Sequence, residues 1–251
     1  MVVETVVAVE ICLEDLAGVR VAEAAGADRL ELCSALGDGG LTPSIGTVSA
    51  ALRIAERLGV NVLVRQRAGD FVFDADELAA MVADIHAVRA LPNPHGLPLG
   101  FVVGALLPDG SVDVDATRQL VDACGDAPVT FHKAFDQVPD RAAALETLVD
   151  LGVARVLTSG GAASTLEGAA ELAALVAQAG DRITVLAGGG VRPSNVAELV
   201  RRTGVREVHL RAATKVASGS LTTSAYDSGE RVVTSGPVVA AVVAAVREGA
   251  A

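Results

Sequence analysis

Apolar, β-branched bursts recur along the whole chain, and stretches with helical spacing fill the gaps between them. The bursts predict strands at 6–13 (VVAVEICL), 29–33 (RLELC), 61–67 (NVLVRQR) and 100–107 (GFVVGALL). Four more follow at 128–135 (PVTFHKAF), 155–161 (RVLTSGG), 183–190 (ITVLAGGG) and 207–212 (EVHLRA). These runs are continuous rather than strictly alternating, which is the pattern of strands covered on both faces, as in a parallel sheet. Helices are predicted at 15–26, 43–58, 74–90, 113–123, 139–151, 165–179, 193–203 and 237–248. Pro43, Pro139, Pro193 and Pro237 stand near first turns, and Asp74 and Asp113 stand at cap positions. Gly26, Gly59, Gly152, Gly180 and Gly204 fall where helices should end.

Eight β units alternating with eight α units in 251 residues predict a single-domain α/β fold, a (β/α)8 TIM barrel. A doubly wound open sheet is the competing arrangement, but it needs no eighth strand. No linker, charge block or low-complexity segment divides the chain. One connection is long: residues 213–236 are rich in Ser, Thr and Gly and contain the only tyrosine, Tyr226. Such a loop is either a functional lid or oligomer contact, or a disordered segment.

In a barrel of this kind the C-terminal strand ends and the βα loops form the site. Polar anomalies collect there. Glu10 and Cys12 close the first strand, Glu31 and Cys33 the second, and Arg65 and Arg67 the third. His132, Lys133 and Asp136 close the fifth, Thr158 and Ser159 the sixth, Gly188 to Gly190 the seventh, and His209 with Arg211 the eighth. Residues two apart on a strand share a face, so each pair is expected to point together. Charged residues are almost never fully buried unless paired. Their convergence therefore predicts a polar pocket that can position an anion and move a proton. His132 or Glu31 is the expected general acid or base, with Glu10 and His209 beside them and Asp136 orienting the imidazole. Arg65, Arg67 and Lys133 are the expected anion-holding cations. The turns Thr158-Ser159-Gly160 and Gly189-Gly190, each ahead of a helix, offer backbone N–H groups to an anion or phosphate. His86 and His95 lie away from this end.

Composition narrows the functional classes. A net charge of −11 argues against nucleic acid, which needs a basic face. Aromatic residues are only 2% and Trp is absent, so base-stacking platforms are not expected. The apolar run VVAAVVAAV is too short to span a bilayer. The N-terminus lacks the basic region of a signal peptide, and a cytoplasmic protein is the expectation. The cysteines, Cys12, Cys33 and Cys124, are too few and too irregularly spaced for a disulfide framework. Cys12 and Cys33 would end adjacent strands, where two thiolates suit a soft ion such as Cu(I). The alternative is that both are small buried hydrophobes. Cys124, at a helix end, reads as structural, and no compact Cys/His spacing supports zinc.

The blocks GADRLELCSALGDGGLTPS (26–44), RQRAGDF (65–71), TFHKAFD (130–136), RVLTSGG (155–161) and AGGGV (187–191) resemble the copper homeostasis CutC family in order and spacing. The resemblance runs from about residue 6 to residue 211 and implies a cytoplasmic TIM barrel that binds copper, and barrels of this type often pair as dimers. It marks Glu10, Glu31, Cys33, Arg65, Arg67, His132, Asp136 and His209 as the polar mouth. Three positions depart from the family pattern: Gln66 replaces a usual Pro, Lys133 a usual Arg, and Arg211 a usual Ser. Lys133 keeps the charge but loses the planar fork of a guanidinium. Two functions follow: a copper-homeostasis protein binding Cu(I) through Cys12 and Cys33, or an enzyme acting on a small anionic or phosphorylated metabolite.

Overall fold

Eight parallel strands close into a barrel in the order β1 to β8 in the computed structural model, which describes residues 7–220, 222–224 and 227–248. The strands are β1 Ala8–Leu13, β2 Arg29–Leu32, β3 Gly59–Leu63, β4 Leu99–Val103, β5 Val129–Phe131, β6 Arg155–Thr158, β7 Thr184–Gly188 and β8 Glu207–Leu210. Helices α1 Leu16–Ala24, α2 Ile45–Ile54, α3 Ala75–Arg89, α4 Val114–Cys124, α5 Arg141–Asp150, α6 Ala169–Ala179 and α7 Val196–Thr203 each follow a strand, and α8 Gly236–Glu248 closes the ring. Start signals hold where they were expected: Asp74 forms a full capping box with Glu77, and Asp113 accepts from the N–H of Ala116. Gly180 and Gly204 cap α6 and α7, whereas Gly59 opens β3 instead of ending a helix.

The strands do alternate, in an unusual sense. Their outward row includes Val9, Ile11, Leu30, Leu32, Val60, Val62, Phe101, Val103, Phe131, Val156, Ala187 and Val208, which pack with helix residues such as Val19, Val48, Leu120 and Leu199 into one core. Fully burying each such aliphatic or aromatic side chain is worth roughly 1.5–3 kcal/mol, so this outer layer carries the stability of the fold. The inward row is largely polar or small. The strand register puts Glu10 opposite Arg29 and His209, Cys12 opposite Glu31, and Glu31 opposite Asn61. Arg155 and Glu207 enter the same interior from β6 and β8. A separate apolar patch of Cys33, Leu63 and Val102 completes the inner wall.

Several strands stop earlier than their apolar runs. β3 ends at Leu63, before Arg65, and β8 ends at Leu210, before Arg211. β5 ends at Phe131, and Lys133–Gln137 forms a 3₁₀ turn with His132 as its cap. The long segment 213–236 is not one loop. Strands β9 Ala213–Ala217 and β10 Glu230–Thr234 pair antiparallel as a hairpin, with Lys215 opposite Val232. Asp15 anchors the hairpin base by accepting from the N–H and hydroxyl of Thr234. Tyr226 lies outside the described residues.

Candidate functional site

A cavity of about 250 Å³ opens at the C-terminal end of the barrel, lined by Cys12, Glu31, Cys33, Arg65, Phe71, His132, Lys133, His209 and Arg211 among others. A second cavity of about 450 Å³ adjoins it and shares Cys12, Lys133, His209 and Arg211. Its other walls include Gly189, Gly190 and Arg192. The two form an inner and an outer chamber of one mouth.

A chain of alternating charge runs up the barrel to the inner chamber. Arg155 pairs with Glu207, Glu207 with Arg29, and Arg29 with Glu10. Glu10 in turn holds His209 through Nδ1 at 2.8 Å, and His209 Nε2 lies 3.5 Å from Glu31. The Asn61 amide donates a further bond to Glu10. Burial pushes the Glu10 carboxyl up, but the His209 hydrogen bond and the Arg29 charge outweigh it and hold the group at about 2. Burial disfavours the His209 imidazolium too, yet Cys12, Glu10 and Glu31 hold its pKa well above the ordinary value. Glu31 lacks such support. Burial raises it, His209 lowers it, Glu10 raises it further, and the carboxyl stands at about 7. A carboxyl balanced between both forms at neutral pH can take or give a proton. Glu10 does not line the cavities among the described residues; it acts from beneath by fixing His209.

His132 behaves differently. Burial and the Arg65 charge push its imidazole down to about 3, so the ring is neutral at neutral pH. The N–H of Ala134 donates to its Nδ1 at 3.3 Å, which places the ring proton on Nε2. That Nε2 is buried without a hydrogen-bond partner among the described residues. The ring packs against Phe71 at a tilt of 51°, with centroids 4.7 Å apart. Gly104 makes room for it, because a Cβ there would lie 2.4 Å from His132 Cε1.

Arg65 is 5% exposed and donates to the carbonyls of Asp38, Gly40 and Gly69. Its Nε is buried without a partner, its guanidinium lies 4.8 Å from the Phe71 ring centroid, and it pairs with no carboxylate among the described residues. Arg67 does not join it. Because the strand has already ended, the rule that alternate residues share a face no longer applies. Arg67 turns away to Glu77 and Asp70 and pins the loop to the start of α3.

Asp136 does not orient His132, contrary to the expectation from sequence. Its carboxylate accepts from Lys133, from the hydroxyls of Thr158 and Ser159, and from the N–H groups of Ser159 and Gly161. The glycine turn after β6 therefore already holds an anion, the protein's own carboxylate. Thr158 and Ser159 are committed to that internal contact, and the Gly160 N–H donates to the Thr158 hydroxyl, so these donors are not open to an outside anion. Gly189 and Gly190 do face the outer chamber.

Cys12, Glu31 and His209 each offer a ligand atom within 4.8 Å of the others, so the group is suited to a metal ion. Cys33 is not a member. Its sulfur donates weakly to the Glu31 carbonyl and packs with Leu63 and Val102. Burial, with Glu31 and Cys12 adding to it, pushes the Cys33 thiol well up. Cys124 is buried at the end of α4 and pushed up to about 12 by burial alone. His86 and His95 are exposed on α3 and the following loop. Arg192 was not marked by the sequence reading, though a cation between Val191, which follows the glycine run, and Pro193 was a usable signal.

An eight-stranded parallel barrel with buried titratable groups gathered at the C-terminal mouth is the architecture on which barrel enzymes build their sites. The chain belongs to the CutC family, whose model matches residues 7–214. A CutC family protein of Caulobacter vibrioides is 51% identical over 203 residues, covering 81% of this chain and 80% of that protein. Another from Mesorhizobium japonicum is 48% identical, covering 84% and 79%. The crystal structure of a Streptococcus agalactiae CutC, named for copper homeostasis, superposes with a TM-score of 0.75 at 32% identity, covering 81% of this chain and 97% of that one. Among the described residues no helix is long and apolar enough to cross a membrane.

Proposed function

We propose that the mouth is the active site of an enzyme that works on a small anionic metabolite by acid–base chemistry. The observation that carries this reading is Arg65, a buried cation with no carboxylate partner among the described residues, set in the same chamber as a neutral His132 whose Nε2–H has no acceptor among them. Buried charges are normally paired, and both of these orphaned donors call for an oxygen that carries or develops negative charge. Glu31 supplies the proton-transferring group. His209 and Glu10 are positioning residues that set the field around it. The location is the cytoplasm in this reading, which agrees with three free cysteines.

Thermal unfolding in the presence of millimolar carboxylated and phosphorylated metabolites tests the assignment. At least one should raise the Tm of the wild type, since a ligand at a hundredfold its Kd adds about 2.7 kcal/mol. The rise should vanish in Arg65→Met. If no anion stabilises the protein, or the gain survives in Arg65→Met, the reading is wrong.

A second reading rests on the Cys12, Glu31 and His209 cluster. A thiol and an imidazole form a soft donor pair that suits Cu(I), and Glu10 on the far nitrogen of His209 is the usual support for a metal-bound imidazole. In titrations of reduced protein with Cu(I) held by a competing chelator, Cys12→Ser should abolish binding and Cys33→Ser should leave it. Equal loss in both variants would restore a two-cysteine site, and retention in Cys12→Ser would remove copper from this cluster.

A further inference from the structure

The mouth has two chambers, and their chemistry differs. The inner one presents a neutral imidazole donor, a buried cation and a carboxyl: His132 Nε2–H, the Arg65 guanidinium and Glu31. The outer one is cationic: Arg192, Arg211 and Lys133 stand around Gly189 and Gly190, with no carboxylate on its walls. Lys133 and Arg211 are partly neutralised by Asp136 and Glu14. Arg192 pairs with no carboxylate among the described residues; its guanidinium donates only to the Val191 carbonyl. Gly189 and Gly190 both have positive φ, 125° and 73°, which brings backbone rather than side chains to the chamber wall. A Cβ at Gly189 would sit 3.3 Å from Lys133 Nζ. In a chain of net charge −11, such a local excess of cations is a device for capturing an anion.

We propose that the substrate is a phosphorylated α-hydroxy carbonyl compound, its phosphate in the outer chamber between Arg192, Arg211 and Lys133 and its carbonyl oxygen on His132 and Arg65, and that Glu31 enolises it. This rests on the acid–base reading of the same mouth. In the step, the C–H bond beside the carbonyl breaks and its proton forms an O–H bond with Glu31. The C–H electron pair becomes the new C=C bond, and the carbonyl π pair moves onto oxygen, where the His132 Nε2–H and the Arg65 charge receive it. Glu31 then returns the proton to the carbon it left, or to the neighbouring carbon once the hydroxyl proton there has passed to the enolate oxygen, so that the isomer forms with a new carbonyl at the second carbon. No oxidant, reductant or co-reactant is consumed. A neutral imidazole donor is matched to this task because a nearly neutral N–H stabilises an enolate oxygen without giving up its proton beforehand. Glu31 lines the same chamber as His132 and Arg65, and a carboxylate beside the bound carbonyl compound can take a carbon-bound proton.

The test uses the intact protein in D₂O with a panel of three- to six-carbon aldose and ketose phosphates and the same sugars without phosphate, following loss of the α C–H signal by proton NMR. Wild type should wash out the α proton of at least one phosphorylated member and of none of the unphosphorylated ones. Glu31→Gln should slow exchange by about 10²–10⁴-fold, with partial recovery in Glu31→Asp. Arg192→Ala, at an exposed position, should raise KM by roughly tenfold or more while kcat changes little. Exchange that ignores the phosphate, or that survives in Glu31→Gln, overturns the proposal. Binding of inorganic phosphate is measured in parallel by phosphorus NMR line broadening. Phosphate binding without exchange anywhere in the panel overturns enolisation but leaves an anion site; absence of both removes the acid–base reading as well.

Discussion

Glu10→Ala should destabilise the protein by about 3–5 kcal/mol, the cost of stripping one member from a buried ion pair. Glu10 is 1% exposed and accepts from Arg29, Asn61 and His209. Its removal leaves the Arg29 and His209 cations facing each other inside the barrel with only Glu207 and Glu31 to answer them. The loss should also depend on pH. The Glu10 carboxyl stands at about 2 in the folded chain against an ordinary 4.5. A depressed carboxyl stabilises the fold above its unfolded value, and that contribution is lost as pH falls through the folded one. Urea unfolding at pH 7, 4 and 2.5 should therefore show wild type and variant converging toward the acid end. A difference below about 1 kcal/mol at pH 7 would mean that the charge chain adds little.

Asp136→Gly should cost about 2–4 kcal/mol, because several donors to one carboxylate lose their acceptor together. The Thr158 and Ser159 hydroxyls, the N–H groups of Ser159 and Gly161, and the Lys133 ammonium all converge on this single side chain. Burial alone would raise the Asp136 carboxyl, but Lys133 and Thr158 lower it below its ordinary 3.8, so its stabilising effect is present above that value and fades in acid. The emptied turn becomes an anion site, and free phosphate should refill it. At ten times its Kd, phosphate would restore about 1.4 kcal/mol, read as a Tm gain in the variant greater than in wild type. A variant that is destabilised yet indifferent to phosphate would show that the turn collapses without its carboxylate.

The strands were legible because their outward row is apolar and regular: Val9-Ile11, Leu30-Leu32 and Val60-Val62 recur with the same spacing. The inward row was harder to see. RLEL, RVLT and EVHL each open with a charged residue on the inward face, and those charges, Arg29, Arg155 and Glu207, form the lower part of the ionic chain. Apolar runs do not stop where hydrogen bonding stops, so strand ends ran long and the alternation rule was carried past its range. That is why Arg67 was grouped with Arg65. The glycine turn at 158–161 was read as a holder of an outside anion, but the carboxylate on its donors, Asp136, lies within the chain and is 22 residues or more away from it in sequence. The hairpin was hidden by Ser, Thr and Gly, although ATKVA and ERVVT are short alternating strands.

Barrel closure has a kinetic meaning here. His209 meets Glu10 only through the pairing of β8 with β1, the last strand with the first. Until that seam forms, Glu10 and Glu31 approach each other with Arg29 as the main cation between them, and the imidazolium that balances them is elsewhere. Formation of the β8–β1 seam and the pairing of His209 with Glu10 are then one event. A chain with this seam open would carry every residue of the site but not the Glu10–His209 pair, and the protonation of His209 would serve as a spectroscopic signal of barrel closure.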